Sequence, residues 1–169
     1  TQTIIYRGGA IFRDPRSNKL GSRILSKLEK LYLIIKKLAL NIDDNTNYFS
    51  IAHEAGVPVK NLKELQNNLF GLEANFEDLS AIDFKKGCYI GQENTARMKL
   101  KNKIRKKLLP LISEDNLKIG SEIILNGDSI GKLLISNPYP FGLINIFDKN
   151  LSELKNKEIL VGKQKAKII

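Results

Sequence analysis

The sequence holds a single cysteine, and it lies in a segment suited to chemistry: Lys86-Gly87-Cys88-Tyr89-Ile90-Gly91-Gln92-Glu93. A thiol reacts through its thiolate, and neighbouring cations lower its pKa. Lys85, Lys86 and Arg97 supply those cations. Gly87 and Gly91 permit tight turns and close approach of a ligand to the backbone. Gln92 and Glu93 add polar side chains within a few residues. The segment reads as a reactive or ligand-facing thiol in a loop bounded by glycines. The competing reading is a buried cysteine acting as a small hydrophobe.

The remaining composition excludes other chemistries. One cysteine allows no disulfide within the chain. Cys88 and His53 are the only soft metal ligands, too few for a four-ligand zinc or iron–sulfur site, so no resident metal site is expected. His53 is expected on the surface of a helix. The longest apolar runs, such as residues 31–35, fall far short of the ~20 residues of a membrane span. With no membrane segment and no signal peptide in view, the expected location is reducing, soluble and cytoplasmic.

The net charge is +10, from 28 basic and 18 acidic residues. Its distribution is uneven: residues 85–107 carry nine basic side chains and one acid, Glu93. Within that window Arg97, Lys99, Lys101, Lys103, Arg105 and Lys107 alternate with Met98, Leu100, Ile104 and Leu108. Alternation with period two places neighbours on opposite faces of a strand. It predicts a basic ribbon over residues 97–107 that suits polyanions such as RNA phosphate or the glutamate tail of a folate. The alternative is a solvated Lys-rich edge that resists edge-to-edge pairing.

The elements that must position these residues fall into two parts. Residues 1–12 read as strand, turn at Gly8-Gly9, strand. Apolar positions Ile24, Leu28, Leu31, Ile35 and Leu38 predict an amphipathic helix over residues 23–40. Asp43, Asp44, Asn45 and Thr46 offer N-caps for a helix from about Asn47 to Ala55, with Gly56 at its left-handed end and Pro58 beyond. A short helix is expected over residues 61–69, an irregular stretch over 71–84, and a short helix opening near Gln92. From residue 103 onward short strands dominate, with Asn126-Gly127-Asp128 as a hairpin turn. The expected fold is α+β: residues 1–100 mixed, residues 101–169 a small β-barrel.

The octapeptide resembles the K-G-C-[YF]-x-G-Q-E signature of the YgfZ family, folate-binding proteins related to the aminomethyltransferase of the glycine cleavage system. Leu72-Glu73-Ala74-Asn75 and Leu79-Ser80-Ala81-Ile82-Asp83-Phe84 resemble the family's approach to that signature. Asp14-Pro15-Arg16 with Leu20-Gly21-Ser22-Arg23 resembles its D-P-R…L-G-x-R element, and Ala55-Gly56-Val57-Pro58 its A-G-x-P turn. The sequence departs from the family at Ala52, Gly71 and Asn102. Family members also carry a further segment ahead of the D-P-R element, and the chain begins with Thr, so the resemblance implies a C-terminal portion of a longer protein. It implies the rear part of an aminomethyltransferase-like folate-binding domain over residues 1–100.

By that resemblance the ligand is tetrahydrofolate or a derivative, and the role is to support the synthesis or repair of iron–sulfur enzymes, including those that modify tRNA. Cys88 is the implied reactive residue. Lys86, Tyr89, Gln92, Glu93 and Arg97 would shape its pocket. Tyr48 could stack on a pterin, and Glu54 could accept hydrogen bonds from its amino edge; a helix-packing tyrosine and a solvated glutamate are the alternatives. Two other functions compete. One is tetrahydrofolate-dependent aminomethyl transfer, against which Tyr89-Ile90-Gly91-Gln92 departs from the loop of those enzymes. The other is an RNA-binding module using the basic ribbon.

Overall fold

The computed structural model describes residues 3–87, 90–101, 104–146 and 151–169. The chain opens with a three-stranded antiparallel sheet in the order β1-β2-β3: Ile4–Tyr6, Gly9–Arg13 and Ser22–Leu25. Arg7 and Gly8, both with positive φ, form the first turn, one residue earlier than Gly8-Gly9, and Gly9 starts β2.

The predicted helix over residues 23–40 is shorter than its pattern. Arg23, Ile24 and Leu25 pair with Phe12, Ile11 and Ala10, and only Leu28–Lys37 forms helix α1. A waiting sheet edge offers backbone hydrogen bonds that outweigh helix propensity, a difference of tenths of a kcal/mol per residue. On α1 the buried side is Leu31, Ile34 and Ile35, with Ile34 fully buried, while Leu28 remains 82% exposed. Ile4, Ile5, Leu25, Tyr32 and Leu33 are also exposed, so this sheet and α1 present an apolar face to solvent.

Helix α2 spans Thr46–Glu54. Asn45 is its N-cap and makes no side-chain capping bond; Asp44, one residue before it, accepts the Thr46 backbone N–H at 2.7 Å in a local turn. Gly56 has the left-handed φ expected after a helix end. Of the helix expected over residues 61–69, only a single 3-10 turn forms, Leu62–Leu65. Residues 71–80 run through consecutive turns. Helix α3 spans Gln92–Leu100.

The C-terminal part is a closed antiparallel barrel in the order β4-β7-β6-β5-β8-β9. Its strands are Lys106–Ile112, Glu122–Leu125, Asp128–Ile135, Phe141–Asn145, Glu158–Val161 and Gln164–Ile168, numbered β4 to β9 along the chain. The one-turn helix α4, Leu151–Leu154, precedes β8. Asn126 and Gly127, both with positive φ, make the β5–β6 hairpin turn that their types foretell. Register shifts in the β5–β6 and β6–β7 pairs bend the sheet toward closure. Leu111, Ile123, Leu133, Ile144, Ile159, Val161 and Ile168 fill one core. Gly131 is needed for close strand approach, because a Cβ there would lie 2.3 Å from the Leu143 carbonyl oxygen.

A second core joins the parts. Leu108, Leu134, Ile135, Phe141 and Leu143 pack against Leu65 and Leu69 from the 3-10 turn and its exit. The turn at residues 73–75 adds polar ties: the Leu108 N–H donates to the Glu73 carbonyl at 2.8 Å, and Asn75 Nδ2 donates to the Leu108 carbonyl at 2.6 Å.

Candidate functional site

The D-P-R element ends β2, and Arg23 lies across from it on β3. Asp14 is 2% exposed. Its carboxylate accepts Arg16 Nε at 3.0 Å and Arg16 Nη2 at 2.8 Å, the bidentate geometry of a guanidinium fork. Arg23 Nε donates to Asp14 Oδ2 at 2.6 Å, and the Arg16 backbone N–H to Oδ1 at 3.0 Å. The hydrogen bonds from Arg16 outweigh burial and hold the Asp14 carboxyl well below the usual carboxylate range. Tyr48, on α2, enters the same network: its hydroxyl accepts Arg16 Nη2 at 2.7 Å and Arg23 Nη2 at 3.4 Å. Two guanidiniums on one carboxylate leave one positive charge in excess.

Beside this network opens a cleft of about 500 Å³. Val57, Leu65, Leu69, Phe70, Phe76 and Leu79 give it apolar walls, and Arg16 is the only charged side chain among its lining residues. A second concavity of about 460 Å³ lies between α3 and the barrel entry, lined by Arg97, Met98, Arg105 and Lys106 with Glu73. The two share Phe70.

Cys88 and Tyr89 lie outside the described residues. Lys86 is exposed, Gln92 opens α3, and Glu93 pairs with Arg97 one turn on. Glu54 is exposed at the end of α2, and its carboxylate makes no hydrogen bond among the described residues. Tyr48 lies with Asp14, Arg16 and Arg23; Arg97 lines the other concavity. The described residues do not bring these candidates into one pocket. Asp14, Arg16 and Arg23 are the charged cluster that sequence reasoning passed over as site residues. The signal available was four charged residues, Asp14, Arg16, Lys19 and Arg23, within ten positions that run from the end of β2 into β3.

The basic ribbon does not form. Residues 92–100 are helical, so Arg97 and Lys99 do not share a strand face with Arg105 and Lys107. Lys99 pairs with Glu77 and Lys107 with Asp78, acids supplied by the irregular stretch before α3. The end of α3 breaks the alternation, so the period-two argument for a single basic strand face over residues 97–107 fails.

His53 is buried rather than on the helix surface expected for it, and its ring packs edge-on to Phe141 at 5.1 Å. Nε2 donates to the Pro140 carbonyl at 2.9 Å, which also accepts the Leu111 N–H. No sequence signal pointed to a backbone acceptor 87 residues away. Burial pushes the His53 pKa down, against smaller opposing contributions from the Pro140 bond and the Glu54 charge. Its neutral form therefore belongs to the folded state. Stability should be full above the ordinary value of 6.5 and decline as pH falls through the lowered value. His53→Ala should cost ~2 kcal/mol at pH 8 and remove that decline; thermal unfolding from pH 8 to pH 5 checks both.

Among the described residues no group of three or more His, Cys, Asp or Glu is placed to hold a metal ion, and no helix is long and apolar enough to cross a membrane.

The relatives of this chain are factors of iron–sulfur cluster assembly. Human mitochondrial iron–sulfur cluster assembly factor IBA57 is 32% identical over 136 residues, 75% of this chain and 37% of the human protein. The mitochondrial IBA57 homologue of Dictyostelium discoideum is 35% identical over 105 residues, 61% of this chain and 26% of that protein. That of Pyricularia oryzae is 31% identical over 118 residues, 70% of this chain and 30% of that protein. The chain thus spans well under half the length of these curated relatives. No family model matches it. The relatives are mitochondrial, which overturns the expectation of a cytoplasmic location.

Proposed function

We propose that this protein serves the maturation of iron–sulfur proteins in mitochondria, as an accessory factor rather than a high-turnover enzyme. The observation that carries this is the 32% identity to human IBA57 across 75% of the chain. Its partners are client iron–sulfur enzymes, tRNA-modifying ones included. A reduced folate is the proposed ligand, and Cys88 the reactive residue beside it. Two features support the folate reading. The Tyr48 hydroxyl is fixed by Arg16, which limits rotation of a ring able to stack on a pterin. The exposed Glu54 carboxylate has acceptor capacity to spare for an amino edge. Lys86 and Arg97, near the cysteine in sequence, supply positive charge for the folate's carboxylates, and Gln92 and Glu93 supply polar groups beside them.

Calorimetric titration of tetrahydrofolate into this chain, and in parallel into a full-length relative, tests the ligand. Saturable binding to either, weakened by at least about tenfold in the variant corresponding to Tyr48→Ala, is the expected result. Binding to neither would remove folate from the proposal.

A further inference from the structure

The geometry points to a second binding function: the cleft beside Arg16 takes an amphipathic monocarboxylate, an apolar or aromatic body carrying one anionic end. The volume, about 500 Å³, is within the range of small-molecule sites. Its walls are apolar, and three of its lining side chains, Leu62, Phe70 and Phe76, are large hydrophobics left exposed. Such clusters mark interaction sites more often than single exposed residues do.

The polar end is what selects the ligand. Arg16 contributes the only charge among the lining residues. Its Nε and Nη2 are occupied by Asp14 and Tyr48, while Nη1 donates to nothing among the described residues. Asp14 is shared between Arg16 and Arg23, so the network that Arg16 joins to the cleft carries a net charge of +1. A single carboxylate supplies one negative charge and accepts from Nη1. A neutral ligand would leave that charge unpaired, and a dianion would exceed it.

The cleft's lining residues differ from the folate candidates Tyr48, Glu54, Lys86, Gln92, Glu93 and Arg97, although Arg16 also holds the Tyr48 hydroxyl. Arg16 is a poor probe, because Asp14 and Tyr48 depend on it. Gln66, which is exposed and lines the cleft, allows a charge test without disturbing the network. The probes are 2-naphthoate and its neutral counterpart 2-naphthalenemethanol, titrated into the chain by calorimetry. The naphthoate should bind one site at least about tenfold more tightly than the alcohol. Gln66→Lys should tighten naphthoate about threefold and Gln66→Glu loosen it about threefold, with the alcohol unaffected. Equal affinity for the two probes, or indifference to the charge at Gln66, would overturn the assignment. So would failure of naphthoate to saturate. A failed tetrahydrofolate titration would leave the assignment intact.

Discussion

Cells lacking the endogenous relative and supplied with a Cys88→Ser full-length protein should show iron–sulfur enzyme activity no higher than cells supplied with nothing. The wild-type protein should restore it. Serine is nearly the same size, so the loss would report chemistry. A hydroxyl holds its proton far more tightly than a thiol and lacks the soft, polarizable sulfur that iron and carbon electrophiles prefer. The measurement is enzyme activity in extracts beside an immunoblot of the variant. Equal abundance with retained activity would remove Cys88 from the proposal.

The largest effect on stability is expected at Asp14. Asp14→Asn removes the charge that two guanidiniums share and turns an amide N–H₂ toward cations. The cost should be about 3 kcal/mol, because the acid is buried even though Arg23 is half exposed. For a chain of this length that is a fall of roughly 10 °C in melting temperature. Arg16→Lys keeps the charge but loses the fork, and should cost about 1 kcal/mol. Acid gives an independent reading. The Asp14 pKa lies below its ordinary value of 3.8 when folded, so its contribution is present above that pH and lost as pH falls below it. The wild type should therefore lose stability more steeply below about pH 4 than Asp14→Asn does. Denaturant titrations at pH 7 and below pH 4 distinguish the two.

The barrel was legible in the sequence because its signals are local. An Asn-Gly turn and short alternating runs specify hairpins within a dozen residues, and β5 and β6 flank Asn126 and Gly127 as that turn predicts, with Asp128 already in β6. The same locality explains the failures. Arg23, Ile24 and Leu25 satisfy a helical period, and only the presence of β2 beside them makes them a strand. Residues 97–107 satisfy a strand period, yet the segment divides between α3 and β4, and the acids that neutralise Lys99 and Lys107 come from 22 and 29 residues away. His53 owes its burial to a carbonyl contributed by the barrel. The charged network at Asp14 was visible as a resemblance to D-P-R…L-G-x-R, but not that Tyr48 joins it from helix α2.

The apolar face on β1–β3 and α1 has a consequence for how the chain behaves in bulk. At +10, neighbouring molecules repel one another over about 10 Å in 0.1 M salt, which keeps those faces apart. At 1 M the range shrinks to about 3 Å, while salts excluded from the surface strengthen apolar contact. Colloidal behaviour is thus governed by ionic strength. Dilute salt favours separate molecules, and the sulfate concentrations used to precipitate or crystallise proteins would drive them together through Ile5, Leu25, Leu28 and Tyr32.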